Sequence, residues 1–257
     1  MLPTPSTSHV NYDQIYEPAE DSYLLLDTLA SEAEKDFLSS RFPKTSTAPL
    51  IVEVGTGSGV VLAFATANAP HIFGRMDVAA LGVDVNSFAC MATSQTVKRA
   101  VQEAGVDRAG KFLGPICGDL TTSLRKGSVD VLIFNPPYVP TEELPPHPRE
   151  EHSDQAKKWT STESFDRDSL LLSLSYAGGA DGMETTNRLL DQLPHVLSDR
   201  GVGYVLFCAQ NKPEGVASRI RQWPVDSKER PWQAEIVGRT GKKAGWEKLC
   251  IMRIWRS

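Results

Sequence analysis

Short apolar, β-branched runs alternate with longer mixed stretches through the first half of the chain. Pro49 to Val54, Ala79 to Val85, Phe112 to Cys117 and Val129 to Phe134 each have the length and residue types of a buried strand. Val60 to Ala69 and Phe88 to Ala104 read as the helices between them. Ahead of these, Glu17-Pro18-Ala19-Glu20-Asp21 opens a helix, because Pro suits a first turn and acids suit the positive end of the helix dipole. Leu24, Leu25, Leu26 and Leu29 supply its apolar stripe, and the polar stretch Ser39 to Thr47 ends it. Strands and helices in alternation predict an α/β fold, a parallel sheet with helices on both faces.

The pattern changes after Tyr138. Thr141 to Asp168 is polar, Pro-rich early and charged. It is long for a plain connection, which marks a functional loop on the substrate side over 141–168. A helix is expected from about Ser169 to Ala177, a second from Thr185 to Leu197, and a fifth strand from Gly203 to Cys208. Ala234 to Gly238 and Lys248 to Trp255 then form a closing hairpin around the turn region Thr240 to Gly245. Such a hairpin separates this chain from a nicotinamide-binding domain, whose strands stay parallel. The whole reads as one domain, 1–257, with residues 1–14 flexible.

Composition narrows the function classes. The 257 residues are 40% apolar and 23% charged, enough for a sizeable core, with a net charge of −5. A mildly acidic chain is a poor non-specific binder of nucleic acid, so direct nucleic-acid binding is not expected, since that affinity comes from Lys and Arg on phosphates. No apolar run approaches the roughly 18 residues that span a bilayer, so no membrane partner is expected. The N-terminus lacks the basic and apolar regions of a signal peptide. Cys90, Cys117, Cys208 and Cys250 are widely spaced and read as reduced core residues of a cytoplasmic or nuclear protein. Without a C-x-x-C pair, no metal site is expected in the chain.

The chemistry concentrates at strand ends. Glu53-Val54-Gly55-Thr56-Gly57-Ser58-Gly59 sits between a strand and a helix, where glycines let the backbone turn tightly and approach a ligand. The bland alternative is a plain strand-to-helix turn. Asp84 ends the second strand, where an acid accepts from both ribose hydroxyls of a nucleoside. A helix cap is the alternative role, but Asn86 and Ser87 are better placed for it. Asp119 ends the third strand in the same way and suits the amino group of adenine, with Leu120 packing on the purine; its alternative is a cap before Thr121. Asn135-Pro136-Pro137-Tyr138 follows the fourth strand directly. The Asn side-chain carbonyl and a proline main-chain carbonyl both accept from one planar NH2 group, and Tyr138 offers a flat wall. A planar nitrogen is a weak nucleophile, so holding it in line with an electrophilic methyl is what such a site can contribute. Carbonyl acceptors also favour the positive charge that develops on nitrogen. The alternative is a rigid turn without chemistry.

Taken together, these motifs resemble the class I S-adenosylmethionine-dependent methyltransferases, and more narrowly the eukaryotic HemK-type glutamine methyltransferases that modify translation termination factors. Tyr16 to Ser22, Glu53 to Gly59, Asn135 to Tyr138 and Ala177 to Gly182 carry the resemblance, and their order spans most of the chain. The resemblance implies a seven-stranded, mostly parallel sheet with one antiparallel strand. It implies S-adenosylmethionine as cofactor, bound through Tyr16, Asp21, Glu53, Gly55, Thr56, Gly57, Asp84, Asp119, Leu120 and Asn135, with Asn135, Pro136 and Tyr138 catalytic. It implies transfer to the N5 amide of the glutamine in a Gly-Gly-Gln motif of the class 1 release factor. It also implies a heterodimer with a small zinc-binding activator subunit, docked on the edge strand Phe112 to Cys117, so that a charge at Phe112 or Ile116 is expected to break the complex. The stretch from Glu142 to Asp168 departs from the family.

Two rivals stand beside that reading: an amino-methyltransferase acting on adenine in nucleic acid or on histone lysine, and a non-catalytic cofactor-binding scaffold. His147-Pro148-Arg149-Glu150-Glu151-His152 lacks metalloprotease spacing and reads as a solvated loop. Lys242, Lys243, Lys248, Arg253 and Arg256 read as a solvated basic face, and Trp223, Trp232, Trp246 and Trp255 as packing residues.

Overall fold

A computed structural model describes residues 2–146, 161–225, 230–241 and 248–257. The predicted strands appear as β1 (Leu50–Val54), β2 (Ala79–Asp84), β3 (Lys111–Cys117) and β4 (Val129–Phe134). They are joined by β5 (Leu197–Cys208), β6 (Trp232–Arg239) and β7 (Leu249–Arg256) in one seven-stranded sheet of order β3-β2-β1-β4-β5-β7-β6. β1 to β5 run parallel, and β7 is antiparallel to both β5 and β6. This is the arrangement that the resemblance to class I methyltransferases implies.

Side chains of the central strands alternate between two cores, as a sheet covered on both faces requires. Val131 and Ile133 of β4 join the first core, with Val202, Tyr204 and Leu206 of β5. Leu132 and Phe134 join the second, with Val205 and Phe207. The first core is covered by α1 (Glu20–Leu29), α2 (Glu32–Arg41), α3 (Val60–Ala67), α4 (Ala69–Phe73) and α5 (Ser87–Ala104). The second is covered by α7 (Glu184–Val196) and α8 (Pro213–Ile220). An intervening helix, α6 (Ser161–Ser173), precedes the Ala177–Gly182 segment.

Several elements differ from the sequence expectation, each for a local reason. The opening helix is two helices: Ser31 caps α2 by accepting from the Glu34 N–H at 3.3 Å, which stops α1 at Leu29. α6 begins at Ser161 and ends at Ser173, so the expected substrate-side loop 141–168 is helical from 161, while residues 147–160 lie outside the described residues. The His147–His152 segment, Lys242, Lys243 and Trp246 also lie outside them. β5 starts six positions earlier than expected, because Arg200 ties its polar start to Asp130 of β4 at 2.9 Å. α8 escapes the hydrophobic pattern, although Pro213 stands in its first turn. Residues 2–14 carry no helix or strand and are held by hydrogen bonds. Tyr12 Oη donates to Thr7 Oγ1 at 2.7 Å, and the Gln14 carbonyl accepts from Asn86 Nδ2 at 2.9 Å.

Two side-chain expectations are corrected. Cys90, Cys208 and Cys250 are buried free thiols, but Cys117 is exposed, because it closes an edge strand. Arg253 does not belong to a solvated face. It is buried, donates to Glu34 Oε1 at 2.7 Å and to Glu235 Oε2 at 2.8 Å, and lies over the Phe37 ring.

Candidate active site

A cavity of about 340 Å³ opens at the C-terminal ends of β1, β2 and β4, the place where parallel sheets bind ligands. Its floor is the glycine loop. Gly55, Gly57 and Gly59 have φ of 66°, 51° and 78°, the left-handed region that favours glycine. At Gly59 a Cβ would also come within 2.6 Å of the Thr93 backbone on α5, so the loop packs on that helix without side-chain spacing. At Gly57 a Cβ would meet only open space, which leaves the loop backbone bare towards the cavity.

The strand-end acids hold this loop in shape. Asp84 Oδ2 accepts from the Gly57 N–H at 2.9 Å, and its Oδ1 accepts from the Asn86 N–H at 2.8 Å. Burial raises the Asp84 pKa, and these hydrogen bonds oppose the rise. Asn86, not Asp84, caps α5, by accepting from the Phe88 N–H at 2.9 Å. Glu53 is buried and accepts from the Leu62 N–H in the first turn of α3 at 2.9 Å. Burial pushes its pKa well above the ordinary carboxylate range, with the Leu62 hydrogen bond opposing and the nearby Asp84 adding to the rise. Thr56 receives a hydrogen bond from Thr93 Oγ1 at 2.8 Å.

The other expected cofactor residues surround this floor. Tyr16 and Asp21 line the cavity, the latter buried at the start of α1, where its Oδ1 accepts from the Ser22 N–H at 2.5 Å. Asp119 and Leu120 line the far end. Asp119 pairs with Arg188 of α7, and Leu120 is buried with a left-handed φ of 51°. Asn135 closes the near end; its Oδ1 is buried and finds no hydrogen-bond partner among the described residues.

All ten residues expected around the cofactor therefore border one cavity, while two of the three expected catalytic residues do not. Pro136 is buried behind the wall, and Pro137 takes its place in the lining. Tyr138 lines a neighbouring pocket of about 80 Å³ with Cys208, Gln210 and Lys248. The reason is the backbone path after Pro137. Val139 bridges Ala177 in parallel, donating to the Tyr176 carbonyl at 3.0 Å and accepting from the Gly178 N–H at 2.8 Å, which leads the chain away from the cavity.

Several lining residues went unnoticed in the sequence. Leu171, Leu174 and Ser175 come from α6 and the turn after it, and Arg188 from α7. No motif marks them; they reach the cavity through the packing of helices over the sheet. Ser22 is the exception, because it lies within the Tyr16–Ser22 motif.

The residues present fit S-adenosylmethionine. A bare glycine turn, a carboxylate at each of two neighbouring strand ends and an unmet amide acceptor match a nucleoside, its ribose and a nitrogen acceptor held beside it.

No protein-family model matches the chain. Individual proteins do. It is 32% identical to the eRF1 methyltransferase catalytic subunit mtq2 of Schizosaccharomyces pombe, across 100% of this chain and 96% of that protein. It is 30% identical to methyltransferase HEMK2 of Mus musculus, across 100% of this chain and 98% of that one. Among solved structures, the N-terminal domain of human METTL16 in complex with SAH has a TM-score of 0.50 at 14% identity, covering 94% of this chain and 73% of that chain. The last is a likeness of fold.

Proposed function

The chain belongs to the family of the Mtq2 and HEMK2 methyltransferases, and from that premise we propose that it methylates the N5 amide of the glutamine in a Gly-Gly-Gln motif of the eukaryotic class 1 release factor. S-adenosylmethionine is the cofactor and supplies an electrophilic methyl on a sulfonium. The observation that carries the proposal is Asn135 Oδ1, a buried acceptor without a partner among the described residues, in the cavity floored by the glycine loop. A primary carboxamide has two N–H groups. One donating to Asn135 Oδ1 would satisfy that orphan and fix the plane of the nitrogen, leaving its face towards the methyl. A main-chain carbonyl of the Pro136-Pro137 pair is the second acceptor in this reading. Acceptors would favour the partial positive charge on nitrogen as the N–C bond forms and the methyl–sulfur bond breaks, leaving a neutral thioether, and the surplus proton passes to solvent after transfer.

The edge strand supports the reading of a partner. β3 lies at one end of the sheet, and Leu113 on it is 61% exposed. An apolar edge invites strand addition. The small zinc-binding activator is the partner assigned to it, and the isolated chain is expected to be poorly soluble and weakly active. The cytoplasm or nucleus, where free thiols persist, is the assigned location.

The test is a transfer assay with the activator co-expressed, offering in parallel a Gly-Gly-Gln domain, its Gln→Ala variant, a histone tail and adenine-containing oligonucleotides. Methyl transfer to the first alone is expected. Transfer only to the oligonucleotide or the histone tail would overturn the proposal.

A further inference from the structure

The motif Asn135-Pro136-Pro137-Tyr138 has an anchoring problem. Two consecutive prolines donate no hydrogen bonds, so this stretch is held mainly through its carbonyls. The structure shows what grips them. Gly178 lies so close beneath the chain that a Cβ there would come within 2.5 Å of the Pro137 carbonyl oxygen. At Gly182, with φ 67°, a Cβ would fall 2.0 Å from the Tyr138 carbonyl oxygen and 3.0 Å from Asn211 Nδ2.

Asn211 sits in the short turn after β5 and is only 4% exposed. Its Oδ1 accepts from the Cys208 N–H at 2.8 Å, which fixes the amide plane on the end of β5. Its Nδ2 donates to the Asp181 carbonyl at 3.0 Å, with the Gly182 and Tyr138 carbonyls at 3.4 and 3.5 Å. One buried amide therefore joins three segments: the end of β5, the glycine turn and the motif. An amide provides both polarities and also the reach to span all three segments. A carboxylate would face three carbonyl oxygens, and an apolar side chain would leave buried groups unmet.

We propose that Asn211 is a positioning residue for the acceptor end of the site. It acts through the Tyr138 carbonyl, by holding the backbone that runs on from Asn135 and the prolines, and so Asn135 and a proline carbonyl, at the distance transfer requires. The inference rests on the reading of Asn135–Tyr138 as the place where the acceptor amide is held.

The experiment compares Asn211→Asp, its milder companion Asn211→Ser and a control, Tyr204→Phe, in the activator complex. Tyr204 donates to Glu34 Oε2 at 2.5 Å, in the buried cluster with Arg253 away from the cavity, so its loss lowers stability without touching the motif. Asn211→Asp should lower kcat for the release factor on the order of 10²-fold, the scale of a small misplacement of reacting groups. Cofactor affinity should stay within about twofold, because the glycine-loop contacts are intact. Hydrogen exchange should speed up at the amides of Val139 and Gly178, which bond across this junction. Tyr204→Phe should lower the melting temperature yet leave kcat and that exchange unchanged. If both Asn211 variants keep wild-type kcat at a lowered melting temperature, Asn211 is structural only and the inference falls. If the wild-type complex transfers nothing to the release factor, the substrate reading fails instead. The exchange data then decide alone: faster exchange confined to 135–141 and 177–182 supports the clamp, and unchanged exchange overturns it.

Discussion

The glycine-loop end and the Asn135 end of the cavity treat their polar groups in opposite ways. At the first, Asp84 already accepts from Gly57 and Asn86, Glu53 from Leu62, and Asp119 from Arg188. The ligand joins a frame that is bonded without it. At the second, Asn135 Oδ1 is buried with no partner among the described residues. Leaving such a group unmet costs about 1–3 kcal/mol, so this end is held in readiness at the expense of stability. On the proposed function, the difference divides the work: shape and affinity at the bonded end, selection of the acceptor at the unmet one.

The sharpest way to break that comparison is Asn135→Ala. It should lower transfer by about 10²-fold or more, the usual cost of an acceptor or donor lost from the reacting centre. Calorimetry should show cofactor affinity little changed, and the melting temperature should hold or rise, because an orphaned acceptor has gone. A variant that retains transfer within tenfold, or that melts well below the wild type, would contradict the assignment.

At the bonded end the pattern should reverse. Asp84→Ala removes an acceptor for ribose hydroxyls and the bond that shapes Gly57, so cofactor binding should weaken by about 1.5–3 kcal/mol, the value of hydrogen bonds to a charged group. The rate at saturating cofactor should fall far less. Equal affinity in the two chains by calorimetry would remove Asp84 from the ribose role.

How much of this was legible in the sequence follows the same division. β4 was read to its true bounds, because an apolar run between Gly127 and Asn135 has only one reading. The strand-end residues Gly55, Gly57, Asp84, Asp119 and Asn135 were legible because a parallel sheet brings all its C-terminal ends to one edge. Arg188 was not, since nothing local tells which side of α7 faces the cavity mouth. Nor was the true place of Tyr138, which depends on a bridge between Val139 and Ala177, far apart in the chain. α8 was missed because Pro213 and Gly215 signal a turn, while its burial of Val216, Ala217 and Ile220 is decided by tertiary packing.

The edge strand offers a smaller effect and a cleaner variant than the sequence suggested. Phe112 and Ile116 are half-buried against the two cores, so a charge at either harms the chain itself. Leu113 lies at an irregularity in the pairing of β3 with β2 and projects outward. Leu113→Glu should leave the melting temperature of the chain nearly unchanged, since exposed substitutions usually cost within about 0.5 kcal/mol. Co-purification with the activator should weaken. Full retention of the complex would place the partner on another surface.

The smallest expected effect tests whether the bonded end is strained by its own charge. The Glu53 pKa is raised in the folded chain, chiefly by burial. A carboxyl with a raised folded pKa stabilises the fold fully below its unfolded pKa, and that contribution is lost as pH climbs towards the folded value. Stability should therefore decline as pH rises above the ordinary carboxylate range. Asp84, also raised by burial, adds a decline of the same sign. Glu53→Gln keeps an acceptor for the Leu62 N–H but carries no proton to lose. Its melting temperature should follow a shallower slope from about pH 5 to pH 8, across the range above ordinary carboxylate pKa values. The two chains should differ least at the acidic end and most at the alkaline end, where the variant is the more stable. Parallel slopes in the two chains would mean that Glu53 ionises in the fold without cost.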